Sequence, residues 1–243
     1  MKILVIGGMH GNEPLGIKLV QMFKKNQIKN VDVVFGNEKA IKANCRFIKQ
    51  DLNRSFPGNS KGKSYEEKRA SFLIDICKRY DLVFDFHNTH CPNNDCSFVG
   101  VSANKNLINT SAFLGLRRII IADYDCINKY ASNCISIEIS LGSKNMNSLL
   151  WYKRIKELSM LKLIPNKKNV NKYRFVYRMT LEDKKRFNLE EENFKAFKQI
   201  SRGLAESIGV KSPAYPIFIG DKYTPYNYGG ILNKLKRRPH STR

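Results

Sequence analysis

Residues 3–16 read ILVIGGMHGNEPLG. The apolar run from Ile3 to Ile6 is long enough for one buried strand and too short for a helix. Gly7 and Gly8 close it and permit a sharp turn with positive φ. His10 and Glu13 follow at a spacing of three, at which side chains in a turn or a first helical turn can face the same way. Gly11 and Asn12 suit a tight loop between them, and Pro14 suits the first position of a helix. An imidazole and a carboxylate converging at a strand end make two of the three protein ligands of a catalytic zinc centre. Two polar loop residues in an ordinary strand–turn–helix read the same way, so the pair gains meaning only from what else reaches it.

Working outward, Leu15, Leu19, Val20 and Phe23 share one face of a helix that runs to Lys25. Val31 to Phe35 reads as a second strand, Gly36-Asn37 ends it, and Glu38 to Asn44 reads as a short helix. Strand, helix and strand at this spacing predict a βαβ unit and a parallel sheet. Ser64 with Glu67 three residues on is a capping box, opening a helix to about Tyr80. The run DLVFDFH, 81–87, is an apolar strand interrupted by Asp85, and His87 falls at its C-terminal end. In open α/β sheets ligands bind at the carboxyl ends of the strands. The first strand delivers His10 and Glu13 to that same edge, so three potential zinc ligands arrive together. His90 and Cys91, in the loop that follows, read as supporting or incidental.

Two further stretches carry candidate chemistry. Residues 45–58, CRFIKQDLNRSFPG, form an irregular segment holding Arg46, Asp51, Asn53 and Arg54. Arginine grips carboxylates with two parallel hydrogen bonds, and functional residues gather on loops held by a rigid sheet. A solvated loop with an internal Asp51–Arg54 pair is the plainer alternative. CISIEIS, 134–140, alternates in strand period and places Glu138 between Ile137 and Ile139. A carboxylate where a strand passes from core to cleft has a raised pKa, which suits a general base. The alternative is an edge-strand glutamate facing solvent.

Between and beyond these, strands are expected at Ser97–Val101, Arg117–Ala122, Tyr173–Thr180 and Tyr215–Ile219. Helices are expected at Asn104–Leu116, Met146–Leu163 and Leu189–Ile208, with Trp151 in the core or at an interface. Asp125 to Asn133 reads as a loop. The chain divides into a main α/β unit, 1–164, with a mixed, mostly parallel sheet flanked by helices, and a small C-terminal α+β region, 165–243.

Composition sets limits. No apolar run approaches the ~18 residues of a transmembrane helix. The chain enters a strand without a long apolar leader, so a cytoplasmic protein is expected. None of the six cysteines forms a CxxC, and free thiols are the simplest reading. The net charge of +22 makes nucleic acid the first partner to consider. The lysines, however, are scattered as singles and pairs, with no patch interleaved with aromatics. An AT-rich coding composition and a field that draws in an anionic small substrate are the two other readings.

GGMHGNEPLG, then Asn37, Arg46 and DLNRSF, then DFHNT, then the IEIS strand occur in the order seen in the aspartoacylase and succinylglutamate desuccinylase family. The resemblance covers roughly residues 3–142 and is closer to aspartoacylase around DFHNTHCPNNDC. It implies a carboxypeptidase-like fold and a zinc hydrolase cleaving the amide of an N-acyl amino acid, such as N-acetylaspartate or N-succinylglutamate. It implies His10, Glu13 and His87 as the Zn2+ ligands, Arg46 as the group polarising the scissile carbonyl, and Glu138 as the catalytic carboxylate. It further implies Asn53 and Arg54 as a substrate-carboxylate clamp, with Tyr130 and Tyr223 as substrate contacts. The segment from Tyr130 to Glu138 and the C-terminal region are both shorter than in aspartoacylases, and Lys129 is the only cation near the former. These departures bear on the choice of substrate and leave the metal and the base untouched. The expected partner is thus a small anionic substrate, with no membrane and with nucleic acid disfavoured; a homo-oligomer stays open. The rival readings are a zinc carboxypeptidase or peptide amidase, and a basic nucleic-acid-binding protein with a vestigial site.

Overall fold

The computed structural model describes residues 1–166, 169–187, 194–220 and 227–235, with backbone only at 227 and 228. The opening apolar run forms β1 (Ile3–Gly7), all five residues buried. β1 lies between β2 (Val31–Phe35) and β3 (Leu82–Thr89) and is parallel to both. β6 (Cys134–Ser140) continues the parallel set beside β3. β4 (Cys96–Gly100) then runs antiparallel to β6, with β5 (Arg118–Ala122) parallel to β4. β7 (Asn171–Thr180) is parallel to β5, while β9 (Asn227–Lys234) and β8 (Ala214–Ile217) close that edge as antiparallel neighbours. Among the described residues, nine strands make one mixed, mostly parallel sheet in the order β2-β1-β3-β6-β4-β5-β7-β9-β8. The C-terminal elements therefore extend the same sheet.

Helices cover both faces, as buried parallel strands require. One face packs Ile3, Val5, Phe84, Phe86, Ile135 and Ile137 against α1 (Pro14–Lys25), α4 (Lys105–Phe113) and α6 (Ser148–Met160). α1 lays Leu15, Leu19, Val20 and Phe23 inward and ends on Lys24 and Lys25, where cations favour the negative end of the helix dipole. Trp151, fully buried on α6, meets Phe86 edge-on at 5.2 Å between ring centres. Such an aromatic pair contributes about 0.5–1.5 kcal/mol beyond its area burial. The other face packs Leu4, Ile6 and Val83 against Ala70, Leu73, Ile74 and Cys77 of α3 (Tyr65–Cys77). The predicted capping box is present there: Ser64 accepts from the Glu67 amide and Glu67 accepts from the Ser64 amide.

Close approach of α1 to β1 depends on two glycines. A Cβ on Gly7 would fall inside the Gly16 carbonyl, and one on Gly16 would lie 2.9 Å from Gly7 Cα. This contact sets the height at which the start of α1 meets the strand end, and hence where Glu13 sits.

Three expectations change. The loop at Asp125–Asn133 contains a short helix, α5 (Ile127–Tyr130), and Leu52–Arg54 forms one 3-10 turn. The helix expected over Leu189–Ile208 is not formed across 194–201. Only α8 (Arg202–Ser207) is helical among its described residues, and 188–193 lie outside them. The cause is tertiary. Phe197 and Ile200 donate their amides to Pro216 and Ala214 in β8, while Phe194 and Ile200 bury their side chains among Met179, Ala214 and Ile231. Ser201 then caps α8 by accepting from the Leu204 amide. All six cysteines are free. No helix among the described residues is long and apolar enough to cross a membrane.

Candidate active site

Three parallel strands end together, and each contributes. Beyond β1 the chain turns at Gly8, whose φ of +72° is readily available only to glycine, and delivers His10. Glu13 occupies the N-cap position of α1 in an extended conformation, but its side chain does not cap the helix. It reaches into the site instead. Its Oε1 lies 2.6 Å from His10 Nδ1 and its Oε2 lies 3.0 Å from His87 Nδ1. The Asn88 amide also donates to Oε2 at 3.2 Å. His87 stands near the end of β3, directly beside Glu138 of β6 in the parallel register. His10, Glu13 and His87 are all buried, with ligand atoms within 4.8 Å of one another.

The far nitrogen of each histidine is held by a second carboxylate. His10 Nε2 lies 3.0 Å from Asp51 Oδ1, and His87 Nε2 lies 2.7 Å from Asp85 Oδ2. Asp85 is fully buried; the single Ser136 hydroxyl proton is within reach of both Asp85 Oδ2, at 3.2 Å, and Asn128 Oδ1, at 2.8 Å. A carboxylate behind each imidazole fixes the ring and raises its basicity, the usual outer arrangement of a metal-bound histidine. Two imidazole Nδ1 atoms and a carboxylate, all buried, are a donor set that fits Zn2+. Charge follows the same pattern. Burial opposes protonation of both histidines, but Glu13 at His10, and Asp85 with Glu13 at His87, outweigh it and raise both pKa values. Burial likewise opposes ionisation of Asp51, yet its hydrogen bond to His10 and the charges of His10 and Arg46 hold it well below the usual carboxylate range.

Arg46 does not swing free. Its Nε and Nη2 donate to Asp51 Oδ2 at 3.3 and 3.1 Å, and Nη1 points to Glu13 Oε1 at 3.5 Å. Asp51 therefore pairs with Arg46 and His10, and the simple internal Asp51–Arg54 pair is not what forms. The loop itself hangs on Glu66, a fully buried carboxylate of α3 whose Oε1 accepts from the Ile48 and Lys49 amides and from Asn37.

Glu138 is the one residue of β6 that is not fully buried. It faces the cleft from a central strand, between β3 and β4, so the solvent-facing edge reading does not apply. Burial and the nearby Glu13 charge raise its pKa to about 7 against the pull of His87, His10 and Arg46.

The cleft gathers His10, Glu13, Arg46, Asn53, Arg54 and Glu138, and adds residues that the sequence reading passed over: Asn88, Thr89, Tyr124, Phe175, Arg178 and Phe218. Asn53 points its side-chain oxygen toward the Ile127 amide at the start of α5, at 3.5 Å. Arg54 and Arg178 each place a guanidinium carbon 5.5 Å from the Tyr124 ring centre. Tyr130 does not line the cleft; its hydroxyl donates to Asp125, as does Lys129. Tyr124, six residues earlier in the chain, does line it. Tyr223 lies outside the described residues. His90 is exposed and outside this cleft, while the Cys91 thiol donates to the Ile219 carbonyl.

A sequence model of the succinylglutamate desuccinylase/aspartoacylase catalytic domain matches residues 1–136, more than half of the chain. The chain belongs to this family. A probable aspartoacylase of Prochlorococcus marinus subsp. pastoris is 36% identical over 99 residues, covering 36% of this chain and 33% of that protein. The N-acyl-aromatic-L-amino acid amidohydrolase (carboxylate-forming) of Rattus norvegicus is 30% identical over 135 residues, 48% of this chain and 42% of that one. The match thus spans about a third of the first curated relatives' length. In fold, the succinylglutamate desuccinylase of Chromobacterium violaceum superposes with a TM-score of 0.76 at 16% identity, over 98% of this chain and 86% of that one. Murine aminoacylase 3 gives 0.65 at 19% identity, over 97% and 95%. The nine-stranded sheet is therefore the zinc carboxypeptidase-like fold of these proteins, C-terminal strands included.

Proposed function

We propose that this protein is a zinc-dependent hydrolase that cleaves the amide bond of an anionic N-acyl amino acid, releasing a carboxylate and a free amino acid. The observation that carries the reading is the buried His10–Glu13–His87 set, backed by Asp51 and Asp85, with Glu138 alongside at the open edge of the cleft. Zinc held by those three residues would supply Lewis-acid polarisation of a carbonyl and a more acidic water.

The remaining work falls to side chains of this chain. Glu138, with a pKa raised to about 7, takes a proton from the attacking water and returns it to the departing amine nitrogen. Arg46 is oriented by Asp51 on two of its nitrogens, so its guanidinium is fixed before substrate arrives and stabilises the negative charge that develops on the carbonyl oxygen. Asn53 and Arg54 grip the amino-acid carboxylate and hold the acyl carbon in reach. Phe175, Phe218 and Tyr124 supply the aromatic part of the same cleft wall.

The test is direct. Purified protein should carry about one zinc per chain, and the zinc-loaded form should release free amine from members of an N-acyl amino acid panel. Chelation should stop the release and zinc should restore it. Hydrolysis of peptides with no turnover of N-acyl amino acids would favour the carboxypeptidase reading. Tight nucleic-acid binding by protein without zinc would favour a vestigial site.

A further inference from the structure

We propose that the outer face of the α1–α6 helical layer is a docking surface for an anionic lipid bilayer, on which the protein lies without spanning it. This surface is on the other side of the sheet from the cleft and does not depend on the hydrolase reading. Ile135, Ile137 and Ile139 of β6 pack toward α1, α4 and α6, while Glu138 lines the cleft. Successive side chains of a strand point to opposite faces, so the helical layer and the cleft occupy opposite faces of the sheet.

Along the chain the lysines are scattered, but the fold concentrates them. The whole sequence has 43 Lys and Arg to 21 Asp and Glu. Residues 14–30 and 143–166, which contain α1 and α6, have nine Lys and Arg to a single acid, Glu157. Residues 61–81, which contain α3 on the opposite face, have six to four. Two of those six are met by carboxylates, Arg69 by Glu38 and Lys78 by Asp75. Among the described residues no cation of α1 or α6 forms an ion pair. A coding bias toward lysine raises cations everywhere and does not by itself gather them on one layer.

The two helices lie side by side. The Phe23 and Tyr152 ring centres are 4.8 Å apart, and the Tyr152 hydroxyl donates to the Asn26 carbonyl at 3.2 Å. With Leu15, Leu19, Val20 and Phe23 turned to the sheet, α1 exposes Lys18, Gln21 and Lys25. With Trp151, Ile155 and Leu158 buried, α6 exposes Leu149, Lys153, Lys156 and Met160, one stripe at helical spacing. Lys162 and Leu163, just beyond, are exposed as well. Leu149, Met160 and Leu163 stand 48%, 67% and 82% exposed among these lysines. Apolar tips interspersed with lysines that lack counter-charges distinguish between polyanions. A bilayer with anionic headgroups attracts the lysines and takes the apolar tips into its headgroup boundary, so both parts of the surface contribute. Nucleic acid meets the lysines alone and leaves the three apolar chains in water. Neither helix offers it an exposed aromatic ring for stacking, since Phe23 and Trp151 are buried and Tyr152 is half-buried.

The test uses the full chain with vesicles of phosphatidylcholine, alone or mixed equally with phosphatidylglycerol, and reads binding by cosedimentation at physiological ionic strength. A duplex DNA oligonucleotide is titrated in parallel. Two variants make the same change in net charge on opposite faces. One combines Lys18→Gln, Lys25→Gln, Lys153→Gln and Lys156→Gln; the other combines Lys61→Gln, Lys63→Gln, Lys68→Gln and Lys78→Gln, all at exposed positions. Wild type should bind the mixed vesicles and not phosphatidylcholine alone. Each lysine at an anionic surface contributes about fivefold in affinity, so the first variant should bind about a hundredfold more weakly or worse, and the second within about threefold of wild type. Met160→Ser with Leu163→Ser should weaken binding about tenfold with net charge unchanged. No binding to the mixed vesicles, equal loss in the two charge variants, unchanged affinity after the two serine substitutions, or tighter binding of duplex DNA through the same four lysines would overturn the proposal.

Discussion

The imidazole of His87 illustrates how much of a site lies behind the atom that does the binding. Its Nδ1 faces Glu13, while its Nε2 rests on Asp85, which has the Ser136 hydroxyl within reach. Asp85→Asn keeps the shape but removes the charge that fixes the ring. Zinc affinity should fall about 10–100-fold with the fold intact, measured by competition with a chromophoric chelator. Glu138 offers a second test at this scale. Glu138→Gln should retain zinc and lower kcat by roughly a hundred to ten thousand, the usual range for a positioned base. The pH profile has a definite sign. A base acts only when deprotonated, so kcat/KM should fall as pH drops through the pKa of Glu138. Burial places that value at about 7, and a bound cation lowers it, so the acid limb should lie below neutrality. Glu138→Gln should flatten it; an unchanged limb would mean that another group takes the proton.

Among the elements, the 45–54 loop carries Arg46, Asp51, Asn53 and Arg54 while having only one short 3-10 turn of its own. Its order comes from α3. Glu66 accepts two of its backbone amides and one proton from Asn37, which in turn caps α2 (Glu38–Ala43). Glu66→Ala should therefore leave two amides without their acceptor, destabilise the protein by about 1–3 kcal/mol in urea unfolding, and raise KM. A stable variant with unchanged KM would show that the loop is held elsewhere. β6 makes a related point: Ile135, Ile137 and Ile139 are fully buried, and this packing allows one carboxylate to stand at the cleft wall on a central strand.

Over the whole molecule, the +22 charge competes with the built site as an explanation of anion recognition. The two differ in their response to salt and to shape. A diffuse field is screened over about 8 Å at physiological ionic strength, whereas a direct two-pronged contact acts well within that distance and depends on shape as well as charge. Arg54→Lys keeps the charge and loses the two-pronged geometry, so kcat/KM should drop about ten- to hundredfold. Raising salt from low to moderate concentration should cost the wild type less than that. A silent Arg54→Lys variant with steeply salt-sensitive activity would assign recognition to the field.

Local features of the chain determined much of this. The apolar run and glycine turn of ILVIGG, the Ser64–Glu67 box and the alternation in CISIEIS depend on neighbours within a few residues, and each forms where those residues predict it. Strand order in a parallel sheet then carries His10, Glu13, His87 and Glu138 to one edge, because strand ends and sheet direction are enough to place them. Only the tertiary structure decided the rest. Asp51 could have paired with Arg54 along its own loop, but the buried imidazole of His10 and the fork of Arg46 offered stronger partners. Tyr124 lines the cleft and Tyr130 does not, because the α5 turn sends the Tyr130 hydroxyl out to Asp125. Residues 194–201 leave helical form because β8 offers acceptors to their amides and a core to Phe194 and Ile200. Arg178 enters the cleft because β7 joins the sheet beside β5, a pairing between segments about fifty residues apart that no local periodicity records. Periodicity and capping report which surfaces a segment must bury and how its ends are satisfied; which distant group satisfies a charge depends on competition among partners that exists only once the chain has closed.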